Sequence, residues 1–348
     1  MVFLDRTRLA ERMRRALAAL QVTPISIDHV VNSLVMTSLR GVDSHGVNLF
    51  PHYCRAVGSG RINPQPQMRF EDTAASTAIL DADHAFGHHA GALAMDHAVE
   101  MARTTGMASV AVRNSTHFGA AAYFSQRAAE RDCIGFAFCN ADALVKAHNS
   151  RESFFGTNPI CFAAPMADEG PFSLDMATSL AAWNKVGNAQ RTRKPIPPDW
   201  AFDDQGRTVT DATLARSLAP VGGYKGFDLG MMVDILCALL AGGPASKDIP
   251  GMYRASLSTR RNITHFFMAI DIAKFTEPAV FKANLQSMAN RIRALPPSDE
   301  ADDIVMVAGD PEKRTYQVRL YEGIPMDDEK FAEFLEISGD FHEALASA

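Results

Sequence analysis

Between residues 77 and 138 the hydrophobic pattern changes period four times, and this alternation constrains the fold more than any other feature of the chain. Thr77–Asp81, Ala108–Val112 and Ile134–Phe138 are short apolar runs that predict strands. Between them, Gly91–Thr105 and Ala120–Arg131 repeat apolar residues at helical spacing. Further helices are predicted over Arg6–Gln21, from Ser26 as an N-cap, and over Leu49–Ala56, Phe227–Gly243 and Val280–Ile292. Phe172–Asp175, Phe266–Asp271 and Thr315–Leu320 predict more strands. Such mixing implies an α/β enzyme-like domain. Thr192–Leu218, rich in Pro, Asp, Arg and Thr, predicts an irregular surface loop.

Charge and composition exclude several partners. With 34 basic and 40 acidic residues the net charge is −6, which offers nothing to a polyanion, so no nucleic-acid partner is expected. Asp228 and Asp234 interrupt the longest apolar stretch, Phe227–Gly243, making it a core helix and not a membrane span. The first residues lack the pattern of a secretion signal. Five scattered cysteines (Cys54, Cys133, Cys139, Cys161, Cys237) form no CxxC pair, so reduced thiols, a cytoplasmic location and no zinc site are expected. His84, His88 and His89 surround Gly87 without a carboxylate partner in sequence, and read as a polar turn more readily than as a metal site. No metal is expected.

No GxGxxG follows a predicted strand, and neither a P-loop nor a GxSxG elbow is present. Four segments instead place polar residues beside glycine. Asp43-Ser44-His45-Gly46 offers a histidine able to pass a proton with a hydroxyl beside it, or a capping turn. Asn114–Ala121 joins a predicted strand to a predicted helix, where free N–H groups suit a phosphate, or it is an ordinary glycine turn. Gly156-Thr157-Asn158-Pro159 with Asp175–Ser179 presents donors and acceptors on a rigid loop, or caps a helix through Trp183. Gly222–Gly226 sets Lys225 at a helix start, facing an anion or only water.

In this order, and with Pro51-x-Tyr53, Asn63-Pro64 and the looser Gly309-Asp310-Pro311-Glu312, these motifs resemble the malate/L-lactate dehydrogenase type 2 family over essentially the whole chain. The resemblance implies a mixed α/β, non-Rossmann dehydrogenase fold, NAD or NADP as cofactor, a small-molecule substrate and a homodimer. It implies hydride exchange with C2 of a 2-oxo or 2-hydroxy acid, with reduction of a cyclic imino acid, or a non-catalytic metabolite-binding homologue, as alternatives. By resemblance His45 donates the proton and Ser44 orients it. Leu49, His117 and Thr157 match substrate contacts. His117, Phe118, Gly119, Ala120, Ala121, Asp175, Met176, Ala177, Lys225, Gly226, Gly309 and Asp310 match cofactor contacts. The implied organisation is a helical segment over 1–70, a cofactor-binding domain over 71–308, and a C-terminal segment over 309–348 packing back on the rest.

The sequence departs from the family in two places. Lys185 falls near the site of an aspartate that completes a Ser–His relay in some relatives, so no relay is carried over. Leu49 stands where relatives commonly have an arginine for the substrate carboxylate. A carboxylate buried against leucine alone is strongly unfavourable. Either another cation replaces it, with Arg55 and Lys146 as candidates, or the substrate is less charged at that end.

Overall fold

The structure, a computed structural model, describes residues 1–298 and 304–339; the last part of the expected C-terminal segment, 340–348, lies outside the described residues. The chain opens with β1 (Val2–Leu4), α1 (Arg6–Ala19), α2 (Pro24–Leu39) and α3 (Phe50–Gly58). Pro24 starts α2 with its φ already helical, and Thr23 takes the cap position. Ser26, expected as the N-cap, therefore sits inside the first turn, buried and hydrogen-bonded to His89 Nδ1 at 2.8 Å.

All five elements expected between 77 and 138 form. After β2 (Arg69–Ala74) come β3 (Thr77–Asp81), α4 (Gly87–Thr105), β4 (Met107–Ser115), α5 (Ala122–Ala129) and β5 (Cys133–Cys139). The middle of the chain adds β6 (Val145–Lys146), β7 (Ser153–Phe155), β8 (Ile160–Ala164), β9 (Phe172–Met176) and α6 (Trp183–Thr192). It continues with β10 (Ala201–Phe202), β11 (Ser217–Leu218), α7 (Tyr224–Asp234) and β12 (Ile263–Asp271). The last elements are α8 (Pro278–Arg293), α9 (Asp310–Glu322), β13 (Ile324–Met326) and α10 (Asp328–Ser338).

Seven strands form one sheet in the order β2-β3-β4-β12-β5-β8-β9, and only the β3–β4 pair is parallel. A mostly antiparallel sheet lacks the strand-order switch of the doubly wound dinucleotide fold. The expected non-Rossmann α/β architecture is what forms. Side chains of β12 alternate between its two faces. Phe267 and Ala269 enter the core under α4 and α5, while Phe266 packs beside Phe138, Val233 and Cys237 on the α7 side. Complete burial of Phe267 contributes about 2–3 kcal/mol. A second core joins the two ends of the described chain: Leu9, Met13, Leu34 and Phe50 pack with Met326 and Phe334, and β1 pairs antiparallel with β13.

Three further expectations change. Thr315–Leu320 is not a strand but lies within α9, which starts with Pro311 in its first turn and Asp310 and Glu312 favouring the helix N-terminus. Residues 192–218 are not simply a surface loop: β10 and β11 close with β6 and β7 over a small core of Val145, Val186, Ile196 and Leu218. The helix expected over 227–243 starts at Tyr224 and loosens to a π-turn over Ile235–Leu239. Nor is it wholly a core helix, because Leu229, Met231, Met232, Ile235, Leu239 and Leu240 form an exposed apolar ridge. Among the described residues no helix is long and apolar enough to cross a membrane.

Candidate active site

The turn after α2 carries Ser44 and His45. Gly46 comes so close to Ser38 that a Cβ there would overlap the Ser38 hydroxyl, and the Ser38 Oγ accepts from Val47 N–H at 2.9 Å. Asp43 caps no helix; it pairs with Arg319 of α9 at 2.6 Å and pins the turn. The Ser44 hydroxyl lies 2.8 Å from His45 Nδ1, and no carboxylate among the described residues bonds to Ser44 Oγ. Across from it, the loop between β4 and α5 presents His117, whose ring stacks on His45 with centroids 5.8 Å apart. Tyr53, buried on α3, reaches His117 Nδ1 at 2.7 Å. Burial lowers the pKa of both histidines below the ordinary value, and for His117 the His45 and Arg261 charges add to that effect.

Ser44, His45 and His117 line a cavity of about 770 Å³, within the size range of small-molecule sites, with Tyr53 behind its wall. Gly119, Ala120 and Ala121 form part of its wall, so their small side chains let a ligand approach the backbone. Gly119 has φ +77°, and a Cβ there would meet His88 Nε2 at 2.8 Å, so glycine is required on both counts. The Ala122 N–H is already taken by Asp175 at 2.8 Å, which leaves the Ala120 and Ala121 N–H groups for a ligand. Burial, reinforced by Glu312, pushes Asp175 up to about 6 against the bond from Ala122. A wall of bare backbone amides with polar groups at intervals fits an elongated, phosphate-bearing cofactor.

A charged group lines the same cavity. Arg261, almost wholly buried, donates Nε to Pro250 O at 2.8 Å and Nη2 to Asp142, and its Nη1 has no acceptor among the described residues. Arg254, exposed, lines the cavity beside Tyr253.

The malate/L-lactate dehydrogenase family model matches residues 4–335. The chain belongs to this family. Within the family it is 38% identical over 319 residues to a malate dehydrogenase of Pyrococcus abyssi, covering 89% of this chain and 86% of the relative. It is 33% identical to the NAD(+) ureidoglycolate dehydrogenase of Escherichia coli O157:H7, over 86% of this chain and 85% of that one. A third relative, the (2R)-3-sulfolactate dehydrogenase (NADP(+)) of Chromohalobacter salexigens, is 31% identical over 82% of this chain and 88% of its own. Among solved structures, malate dehydrogenase from Entamoeba histolytica superposes with TM-score 0.91 at 29% identity, covering 97% of each chain. Δ1-Piperideine-2-carboxylate reductase from Pseudomonas syringae gives 0.86 at 25% identity, over 97% of this chain and 100% of that one. Dehydrogenases of both cofactor types thus share this fold.

Of the residues that the family resemblance singled out, Ser44, His45, Leu49, His117, Gly119, Ala120, Ala121, Thr157, Asp175, Met176, Ala177 and Gly309 come together on the cavity wall. Four others do not. Phe118 is core, stacked on His265 at 4.7 Å. Asp310 accepts from Arg293 at 2.5 Å and from Val307 N–H at 3.0 Å at the start of α9. Lys225 is exposed at the head of α7, and Gly226 is packed against the Val221 carbonyl. Nor do Arg55 and Lys146 replace the missing arginine: Arg55 pairs with Glu333 at 2.7 Å, and Lys146 donates to Ser150 O at 2.7 Å. Sequence reasoning missed Arg261, because Arg260-Arg261 has the local signature of a solvated basic pair. Tyr53 was visible only as part of a motif.

Proposed function

We propose that this protein is an NAD(P)-dependent reductase of 2-oxo acids, in which His45 places the proton on the carbonyl oxygen and Arg261 receives the carboxylate. The supporting observation is the convergence of Ser44, His45, His117, Thr157 and Arg261 on one cavity wall. A bound dihydronicotinamide would supply the hydride, held along the 117–121 and 175–177 segments. As the substrate oxygen gains charge, His45 Nε2 is the ring atom left to face it, since Nδ1 is engaged by Ser44. A serine hydroxyl both donates and accepts, so it can follow His45 through proton loss and gain. The two stacked, half-buried histidines shield the reacting oxygen from bulk water.

Leu49 makes its part of the wall apolar, and the charge of the substrate is met from the opposite loop. Asp142 already pairs with Arg261, Arg40 on the cavity wall has Glu312 and Asp175 as opposite charges, and Arg254 is exposed and screened. The buried end therefore suits one carboxylate. A spectrophotometric screen at about 340 nm, the dihydronicotinamide band, with NADH and NADPH against 2-oxo acids, diketo acids and cyclic imino acids tests this. Monoanionic 2-oxo acids are expected to outperform oxaloacetate and sulfopyruvate. Turnover of imino acids alone would move the reading to C=N reduction, and no turnover of any member would overturn it. Arg261→Lys keeps the charge but loses the planar fork, so KM for the 2-oxo acid is expected to rise about 10- to 100-fold, with kcat and the NADH Kd little changed. An unchanged KM would remove Arg261 from substrate binding.

A homodimer belongs to the same proposal. The exposed ridge on α7 is a contiguous apolar surface of the kind that marks an interface, and light scattering at twice the 37.8 kDa chain mass would support it.

A further inference from the structure

Two histidines face each other in the cavity, and the proposed reaction needs one proton. Their hydrogen-bond partners differ in a way that divides the labour. His117 Nδ1 lies 3.4 Å from the Gly119 backbone N–H, which can only donate. Nδ1 must therefore carry a lone pair. Tyr53, 2.7 Å from the same nitrogen, then donates to that single lone pair too, and its shorter bond is the stronger of the two that share it. The neutral ring has one proton, and it is left on Nε2. His117 Nε2 has no partner among the described residues and is not sealed off from the cavity that the ring lines. His45 has no such constraint, because its Nδ1 partner is a hydroxyl that serves either tautomer.

We propose that Tyr53 and the Gly119 amide lock His117 as the Nε2–H tautomer, so that His117 is a fixed hydrogen-bond donor to the substrate oxygen while His45 alone moves the proton. Tyr53 is thus a positioning residue. This rests on the reductase reading for the identity of the oxygen, but the tautomer itself does not depend on it. Proton loss from Nε2 would leave an imidazolate, unless Tyr53 passed its own proton to Nδ1. Burial opposes that transfer by raising the Tyr53 pKa well above its ordinary value. Holding the donor in place before reaction is what makes such a contact effective as charge develops. The packing agrees with a fixed ring: Tyr53 stacks on His117 at 6.1 Å and is itself wedged edge-on against His88 at 4.9 Å.

Nitrogen NMR of the full-length protein labelled at histidine, with and without NADH and oxamate, reads the tautomer directly. The expected spectrum has a pyridine-type Nδ1 and a protonated Nε2 for His117 from about pH 6 to 8, across the ordinary histidine range. In Tyr53→Phe the proton is expected to distribute over both nitrogens, with kcat down about tenfold, the loss of one hydrogen bond, and the NADH Kd unchanged. Rescue separates a donor from an acid. His117→Gln keeps an N–H but cannot supply a proton, so it should retain kcat within about 30-fold, while His117→Ala loses about 10²–10³-fold. A proton on Nδ1 in the wild type, or a glutamine variant as inactive as the alanine one, would overturn the assignment. Absence of any turnover would count against the reductase reading, and the NMR result would still decide the tautomer.

Discussion

His45→Ala is expected to lower kcat for reduction about 10³-fold while leaving NADH affinity within a few-fold. In the proposed reaction the ring acts on the substrate oxygen and not on the dinucleotide, and Ser44, 2.8 Å from its Nδ1, orients it. The pH dependence carries the same signature. Burial lowers the His45 pKa below its ordinary value of 6.5. Reduction needs the protonated ring, so kcat/KM should be highest below that lowered pKa and fall as pH rises through it. Oxidation needs the neutral ring and should rise over the same interval. Both limbs should vanish in His45→Gln. If His45→Ala kept most of its kcat, the proton would have to come from elsewhere. His117 would be the next candidate, and its assignment as a donor that keeps its proton would fail with it.

Acid should destabilise this fold well before most of its carboxylates are protonated. His88 and His265 are fully buried, and burial holds both at about 3, while His89, nearly as buried, is held at about 4. Neither ring nitrogen of His88 has a hydrogen-bond partner among the described residues. In the unfolded chain each titrates near 6.5. Stability from these groups is complete above about pH 6.5 and is lost as pH falls toward their folded values, because only the unfolded state binds the protons. At pH 5 the loss is about 2 kcal/mol for each histidine. Asp175 acts in the opposite direction, since its folded pKa of about 6 lies above the unfolded value, but it returns only about 1 kcal/mol by pH 5. The histidines win, and the difference is large against a total stability of about 5–15 kcal/mol. The urea midpoint should therefore fall sharply between pH 7.5 and 5, with at least two protons taken up on unfolding. His88→Leu should reduce that uptake by about one. Equal midpoints at the two pH values would refute the argument.

Local pattern determined much of this protein. The period changes between 77 and 138 specify β3, α4, β4, α5 and β5, because a strand or helix must present its apolar residues to one face whatever it packs against. The glycine-flanked turns at Gly46 and Gly119 were legible for a related reason, since a Cβ at either would run into a packed side chain, Ser38 or His88. Thr315–Leu320 shows where local reading fails: its alternation suits a strand, yet Pro311 and the acidic first turn start a helix that carries through it. Topology was beyond local pattern altogether. β12 enters the sheet between β4 and β5 although more than 120 residues separate it from either. Nothing in its sequence names its neighbours, because strand order is settled by which apolar faces close over α4, α5 and α7 together. The site follows the same division. Ser44 and His45 are adjacent in the chain and could be read as a pair. Tyr53 meets His117 across 64 residues, and Arg261 reaches the cavity from a loop 216 residues beyond His45. Those contacts exist only because tertiary packing brought distant segments together, and the proposals for the His117 tautomer and for Arg261 rest on them.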